Sequence, residues 1–348
     1  MDRILDITCS LTKGVLPSRS QIKYVFSDIM SGKVETEGLK KFLLALKDKE
    51  TPEIIAGAAE AMREKMIRVN VRVSPDEIVL DTCGTGGSSF HTFNISTAAA
   101  FVIGGCGIKV AKHGNRAVSS QFGSADVLKE LGLNLETPPR RVEEIIKEIG
   151  IGFLFAPMYH PAMKYAVQAR KELATRTIFN ILGPLCNPAG ADVQVIGVYE
   201  EKLTEIMAKA LGELESRRAF ILYSEKGLDE LSIEGKTKVV ELIDKKISHP
   251  LRQIQINYLR PQDFGLSEGN LSGLLPGKDA KENAKIILNI LNGEKSSRAD
   301  AVLINAALGI VAVGVSDNFK DAVKIARESI FSGNAFKKFE ALKEQSNK

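Results

Sequence analysis

The chain has 348 residues, 44% of them apolar and 26% charged, with 47 basic side chains against 43 acidic ones and a formal charge of +4. This is enough apolar material for two domains or for one large domain with a satellite, and the near balance of charge, with no basic run, argues against a nucleic-acid partner. Cys9, Cys83, Cys106 and Cys186 make no metal-ligand spacing with the four histidines, and no apolar stretch has the continuity of a membrane span, so a cytoplasmic protein with no membrane contact is expected.

Residues 1 to about 72 read as helices. Ile22, Val25, Phe26, Ile29 and Met30 recur at helical spacing, as do Leu39, Phe42, Leu43 and Leu46, and a third helix opens after Thr51-Pro52 with Ile54, Ile55, Ala58, Ala59 and Met62. Helices this short must pack on one another, with some apolar surplus left for a second subunit. From about Val73 the pattern changes to short β-branched runs separated by helical segments. Strands are expected at 78–80, 109–111, 152–155, 193–198, 219–223 and 238–242. Such alternation predicts an α/β fold, a mainly parallel central sheet with flanking helices and ligands beyond the C-terminal strand ends.

Two glycine- and hydroxyl-rich turns follow the first two of these strands. In the first, Gly84-Thr85-Gly86-Gly87 leads to Ser96-Thr97 and an alanine-rich helix; in the second, Lys112-His113-Gly114-Asn115-Arg116 leads through Ser119, Ser120 and Ser124 to a helix over 125–131. Glycines let an anion approach the main chain, and a helix start offers unpaired N–H groups and a positive dipole end, so both turns suit phosphate. The second also carries His113 and Asn115, able to orient another polar substrate. Between Pro157 and Pro188 a helix from about Pro161 to Leu173 puts His160 at its entrance and Arg170 in its later turns. Asp229 and Glu230 follow an apolar strand, where carboxylates with substrate phosphates make a magnesium site. Residues 258–278 read as an exposed connection, and the tail as an apolar helical segment over 301–315 and an amphipathic one over 321–342.

Taken together, GTGG with TFNIST, KHGNRAVSS with GSADVL, FLFAP with HPAMK, RTIFNILGPLCNP and GLDELS resemble the anthranilate phosphoribosyltransferase family, whose fold is related to class II nucleoside phosphorylases. The resemblance extends over nearly the whole chain. It implies transfer of a phosphoribosyl group from phosphoribosyl pyrophosphate to the anthranilate amine, with Mg2+. It also implies a helical domain of residues 1–72, joined in space by part of 160–190, an α/β domain of 73–348, and a homodimer through the helical domains. Carried over residue by residue, it assigns phosphoribosyl pyrophosphate to Gly84, Gly87, Ser88, Thr92, Asn94, Ile95, Ser96, Thr97, Lys112, His113, Gly114, Asn115, Arg116, Ala117, Val118, Ser119, Ser120 and Ser124. Anthranilate falls to Gly84, Asn115 and Arg170 with His113 and His160, and magnesium to Ser96, Asp229 and Glu230. No covalent nucleophile is implied, and Cys83 and Cys106 read as packing residues. Three positions depart from the family pattern: Ser88 stands where aspartate is usual, Gln121 where lysine is common, and Gln168-Ala169 where Pro-Val is usual. The first two lower the charge beside the phosphates.

Overall fold

The computed structural model describes residues 3–116, 122–243 and 253–348. The N-terminal helices are α1 (Arg3–Thr12), α2 (Arg19–Met30), α3 (Thr36–Leu46) and α4 (Pro52–Lys65). Their starts follow from local chemistry. Ser18 and Gln21 form a reciprocal capping box at α2, and the Thr51 hydroxyl accepts the Ile54 amide ahead of α4, whose first residue is proline.

Next come β1 (Leu80–Asp81), α5 (Ile95–Gly105), β2 (Val110–Gly114), α6 (Ser124–Glu130), α7 (Pro139–Ile149), β3 (Ile151–Phe155) and the single turn α8 (Ala156–Tyr159). They are followed by α9 (Lys164–Leu173), the turn α10 (Phe179–Leu182), β4 (Val193–Gly197), α11 (Leu203–Glu213), β5 (Arg218–Ser224), β6 (Thr237–Ile243) and β7 (Gln253–Leu259). The chain closes with α12 (Ala280–Leu291), α13 (Ser297–Ala312), α14 (Phe319–Phe331) and α15 (Asn334–Ser346).

The strands form a seven-stranded sheet in the order β3-β2-β1-β4-β5-β6-β7. β1 to β5 pair in parallel; β6 pairs antiparallel with β5, and β7 pairs antiparallel with β6 and so runs with the other five. Alternating residues of β4 to β6 divide between two cores, and Ala111 of β2 and Leu154 of β3 join a smaller third one with Val142 and Ile146 of α7. Val195, Phe220, Leu222 and Val239 join α5 and α12 to α15 on one face. Ile196, Ala219, Ile221, Val240 and Leu242 join α11, the N-terminal helices and Ala166, Ala169 and Phe179 on the other.

Three expectations need correction. β7 was not anticipated: its QIQINYL is largely exposed and interleaves Gln253, Gln255 and Asn257 with apolar residues, as an edge strand can, and so lacks the continuous apolar run that marks its neighbours. The stretch 258–278 is no bare connection, since Phe264, Leu271 and Leu274 are buried and the Leu274 carbonyl accepts the Phe93 amide at 3.2 Å. The amphipathic segment over 321–342 is two helices, α14 and α15, parted by a turn at Ser332-Gly333.

Candidate active site

Strand order decides where the site lies. Successive strands β1, β2 and β3 step one way across the sheet, whereas β4 returns to the opposite side of β1, so the loops leaving β1 and β4 diverge and open a crevice at their C-terminal ends. A cavity of about 670 Å³ fills that crevice. It is lined by residues after β1 (Gly84 to Gly87), after β2 (Asn115, Arg116), after β3 (His160), after β4 (Tyr199) and after β5 (Asp229, Glu230), and by Arg170 and Arg176 from the helical wall.

Close approach of three backbones holds the floor together. The Thr85 amide donates to the Gly197 carbonyl at 2.8 Å, and a Cβ built on Gly197 would sit 1.6 Å from the Asp229 carbonyl oxygen. Only glycine at 197 lets the acidic loop reach the glycine loop. Within the glycine loop Gly86 and Gly87 take φ of +63° and +80°. Among the described residues, the amides of Gly86 and Gly87, both on the cavity wall, have no hydrogen-bond partner, which leaves N–H groups for an anion.

The acidic pair is braced from behind. The β5 turn is closed by the Ser224 hydroxyl, which donates to the Glu230 carbonyl at 2.6 Å. Asn305 of α13 accepts the Leu231 amide at 3.0 Å and donates to the Leu231 carbonyl at 3.2 Å. Glu230 accepts the Ser96 amide at 3.2 Å. Burial, reinforced by neighbouring Asp229, pushes the Glu230 carboxyl up to about 8, and Asp229 is also raised by burial, against a hydrogen bond from Ser88. Two desolvated carboxyls beside a serine hydroxyl form an oxygen donor set of the kind a hard divalent cation takes up, and such a cation would relieve the cost of ionising them.

Lys112 lies on the same floor, buried, its ammonium donating to the Thr82 carbonyl at 3.0 Å, the Thr82 hydroxyl at 3.1 Å and the Ser96 hydroxyl at 3.4 Å. Beside it the His113 amide donates to the Asp81 carboxylate at 3.1 Å, which Asn187 also reaches at 2.7 Å. His113 Nδ1 lies 3.2 Å from the Gly183 carbonyl, which can only accept, so Nδ1 carries the proton. Burial pulls His113 down to about 3 and His160 down to about 4, so both rings are neutral. The ligand atoms of Asp81, Cys83 and His113 lie within 4.8 Å of one another, but the Asp81 oxygens are engaged by His113 and Asn187 and burial raises the Cys83 thiol, so this trio reads as scaffold. On the far wall the Arg170 guanidinium stacks 5.5 Å from the Phe179 ring, and among the described residues no carboxylate pairs with it.

The cavity gathers Gly84, Gly87, Asn94, Ser96, Thr97, Lys112, His113, Gly114, Asn115, Arg116, Ser124, His160, Arg170, Asp229 and Glu230. Ser88 and Thr92 do not line it, and Ile95 packs in the core at 1% exposure because its apolar side chain turns inward from the first turn of α5. Ala117, Val118, Ser119, Ser120 and Gln121 lie outside the described residues. Cys83 packs beneath the glycine loop, where it also forms part of the cavity wall. Sequence reasoning passed over Asp81, Arg176, Gly197, Tyr199 and Asn305. Of these only Asn305 carried a signal, as a lone amide inside the apolar run of α13.

Comparison with known proteins agrees with this geometry. Residues 76–336 match the model of the glycosyl transferase family a/b domain, and residues 6–66 that of its helical bundle domain. The chain is 50% identical over 315 residues to anthranilate phosphoribosyltransferase of Desulfatibacillum aliphaticivorans, covering 90% of each chain. Among solved structures, the Thermus thermophilus anthranilate phosphoribosyltransferase superposes with a TM-score of 0.90 at 39% identity, over 100% of both chains. The Saccharomyces cerevisiae enzyme in complex with PRPP and Mg superposes with a TM-score of 0.86 at 30% identity, covering 99% of this chain and 98% of that one. With both family models matched, relatives at this identity and a crevice of this chemistry, the chain belongs to the anthranilate phosphoribosyltransferase family and carries its activity, the transfer of a phosphoribosyl group to anthranilate.

Proposed function

We propose that the transfer takes place in the crevice between β1 and β4 and that this chain's residues divide the two substrates between its walls. The diphosphate of phosphoribosyl pyrophosphate rests on the free amides of the glycine loop, the start of α5 and Lys112, with Asn94, Ser96, Thr97 and residues 113–116 around the ribose phosphate. Asp229, Glu230 and Ser96 would hold Mg2+, which when bound stabilises charge on the departing pyrophosphate. Arg170 and Asn115 take the anthranilate carboxylate, and the neutral rings of His113 and His160 close the pocket beside it. Fixing the carboxylate aims the amine at C1 of the ribose: the N–C1 bond forms as the C1–O bond breaks, the oxygen keeps the electron pair, and the amine proton is lost to water. Positioning and leaving-group stabilisation carry the rate, with no covalent enzyme intermediate.

The observation that carries this reading is the meeting of the free glycine-loop amides, Lys112 and the raised acidic pair on one floor, facing an arginine with no carboxylate partner among the described residues. Residues 1–72 with part of 160–190 serve as the helical domain and 73–348 as the α/β domain. Leu5, Leu16, Tyr24 and Leu44, each more than two-fifths exposed, supply the apolar surface through which two copies would pair. No helix among the described residues is long and apolar enough to cross a membrane, and we take the enzyme to work in the cytoplasm.

Mixing the protein with anthranilate, phosphoribosyl pyrophosphate and Mg2+ should consume anthranilate fluorescence. Arg170→Ala should raise KM for anthranilate at least ~10-fold, as expected for loss of a charged hydrogen bond, while KM for phosphoribosyl pyrophosphate stays near the parent value. A silent assay with folded parent protein, or an Arg170→Ala effect confined to phosphoribosyl pyrophosphate, would overturn the assignment.

A further inference from the structure

We propose that Arg176 is a positioning residue for the glycine loop, a strap from the helical wall that fixes the loop's amides for the phosphoribosyl substrate. Arg176 lies in the link between α9 and α10 and lines the cavity where that link meets the glycine loop. Its guanidinium donates from Nη2 to the Gly87 carbonyl at 2.5 Å and stacks 4.1 Å from the Tyr199 ring. Tyr199 is tied to the other end of the same loop, because its amide donates to the Thr85 hydroxyl at 3.2 Å. Arg176 and Tyr199 thus grip the GTGG turn at residues 85 and 87.

The geometry has a direct consequence for the amides. The peptide unit is planar, so holding the Gly87 carbonyl toward Arg176 fixes the whole Gly87–Ser88 peptide plane and with it the C-terminal side of the turn that presents the Gly86 and Gly87 amides to the cavity. Residues 86 and 87 are glycines at positive φ, which no side chain restrains, so without an external hold this peptide could rotate. Among the described residues no carboxylate pairs with Arg176; its guanidinium engages the carbonyl and the ring, and both belong to the cavity wall. A planar guanidinium can donate in its plane and stack on its face at once; a lysine ammonium can do only the first.

This inference rests on the reading of the glycine loop as the phosphate site, and the experiment separates the two. Phosphoribosyl pyrophosphate binding is measured by calorimetry and by steady-state kinetics with Mg2+ for the parent, Arg176→Ala, Arg176→Lys, Tyr199→Phe and Tyr199→Ala. Arg176→Ala is expected to raise KM and Kd for phosphoribosyl pyrophosphate about 10-fold with kcat within about threefold. Tyr199→Ala should follow it, and Tyr199→Phe, which keeps the ring, should match the parent. Arg176 is exposed, so the unliganded melting temperature should hold while the rise induced by phosphoribosyl pyrophosphate shrinks. Arg176→Lys equal to the parent would show that charge alone matters and overturn the strap, as would an Arg176→Ala Kd within twofold of the parent. A parent that binds no phosphoribosyl pyrophosphate would instead remove the reading of the loop itself.

Discussion

Gly197→Ala is the most exacting test of the site's construction, because it adds one methyl group and removes nothing. The new Cβ would lie 1.6 Å from the Asp229 carbonyl oxygen, 2.5 Å from its carbonyl carbon and 3.0 Å from its Cβ. Non-bonded heavy atoms settle at about 3.5 Å or more, so the Asp229 backbone has to retreat by roughly 2 Å or β4 has to move by as much. β4 is hydrogen-bonded on both edges, to β1 and β5, whereas the acidic loop is held at its end by Asn305 and Ser224, so the loop is the part that yields. A misplacement of about 1 Å can cost ~100-fold in rate, and overpacking costs about 1–3 kcal/mol of stability. Gly197→Ala should therefore fold with a modestly lower melting temperature and lose about 100-fold or more in kcat/KM, or about 2.7 kcal/mol of transition-state stabilisation, with a raised Mg2+ requirement. The assay is anthranilate fluorescence loss across a Mg2+ titration, alongside thermal denaturation. Parent-like kcat/KM and Mg2+ dependence in a folded variant would refute the claim that the Gly197–Asp229 contact sets the acidic loop.

Three further outcomes follow from the acidic pair and the serine beside it. With the folded-state Glu230 carboxyl near 8 and its ordinary value at 4.5, the native metal-free protein binds a proton that the unfolded chain has released. This group's contribution therefore makes stability fall as pH rises from about 5 to 8 and level off above, and Glu230→Gln should flatten that part of the decline in melting temperature measured without Mg2+. Binding of Mg2+ with phosphoribosyl pyrophosphate near pH 7 should expel about one proton, visible as a buffer-dependent calorimetric heat; heat that is the same in buffers of different ionisation enthalpy would contradict it. Ser88, beside Asp229, opposes the upward push of burial on that carboxyl, while its hydroxyl donates to the Phe90 carbonyl at 3.0 Å. Ser88→Asp replaces that donor by a third carboxylate, so the half-saturating Mg2+ concentration should fall about threefold to tenfold, and an unchanged titration would count against the contact.

What the sequence determined was chiefly what depends on neighbours along the chain. The helical spacing of Ile22 to Met30 and of Leu39 to Leu46, the β-branched runs near Leu80, Val110 and Val193, and the glycine turn before α5 each express a local preference for periodicity, pleat or positive φ. These were enough to give the α/β class, the helical N-terminus and the loop chemistry of Gly84 to Gly87, Lys112 and Asp229-Glu230. Only the tertiary structure decided which side of β1 receives β4, and with it the crevice, because strand order rests on contacts far apart in sequence. For the same reason Gly197 was invisible beforehand: its importance lies in the 1.6 Å that a Cβ there would leave to the backbone of a distant loop, not in any local pattern. Asp81, Arg176 and Tyr199 were likewise ordinary residues until the fold brought a carboxylate to the His113 amide, a guanidinium onto the Gly87 carbonyl and a ring against that guanidinium. Ile95 shows the converse, since a motif match names a segment while burial decides which of its side chains face the ligand.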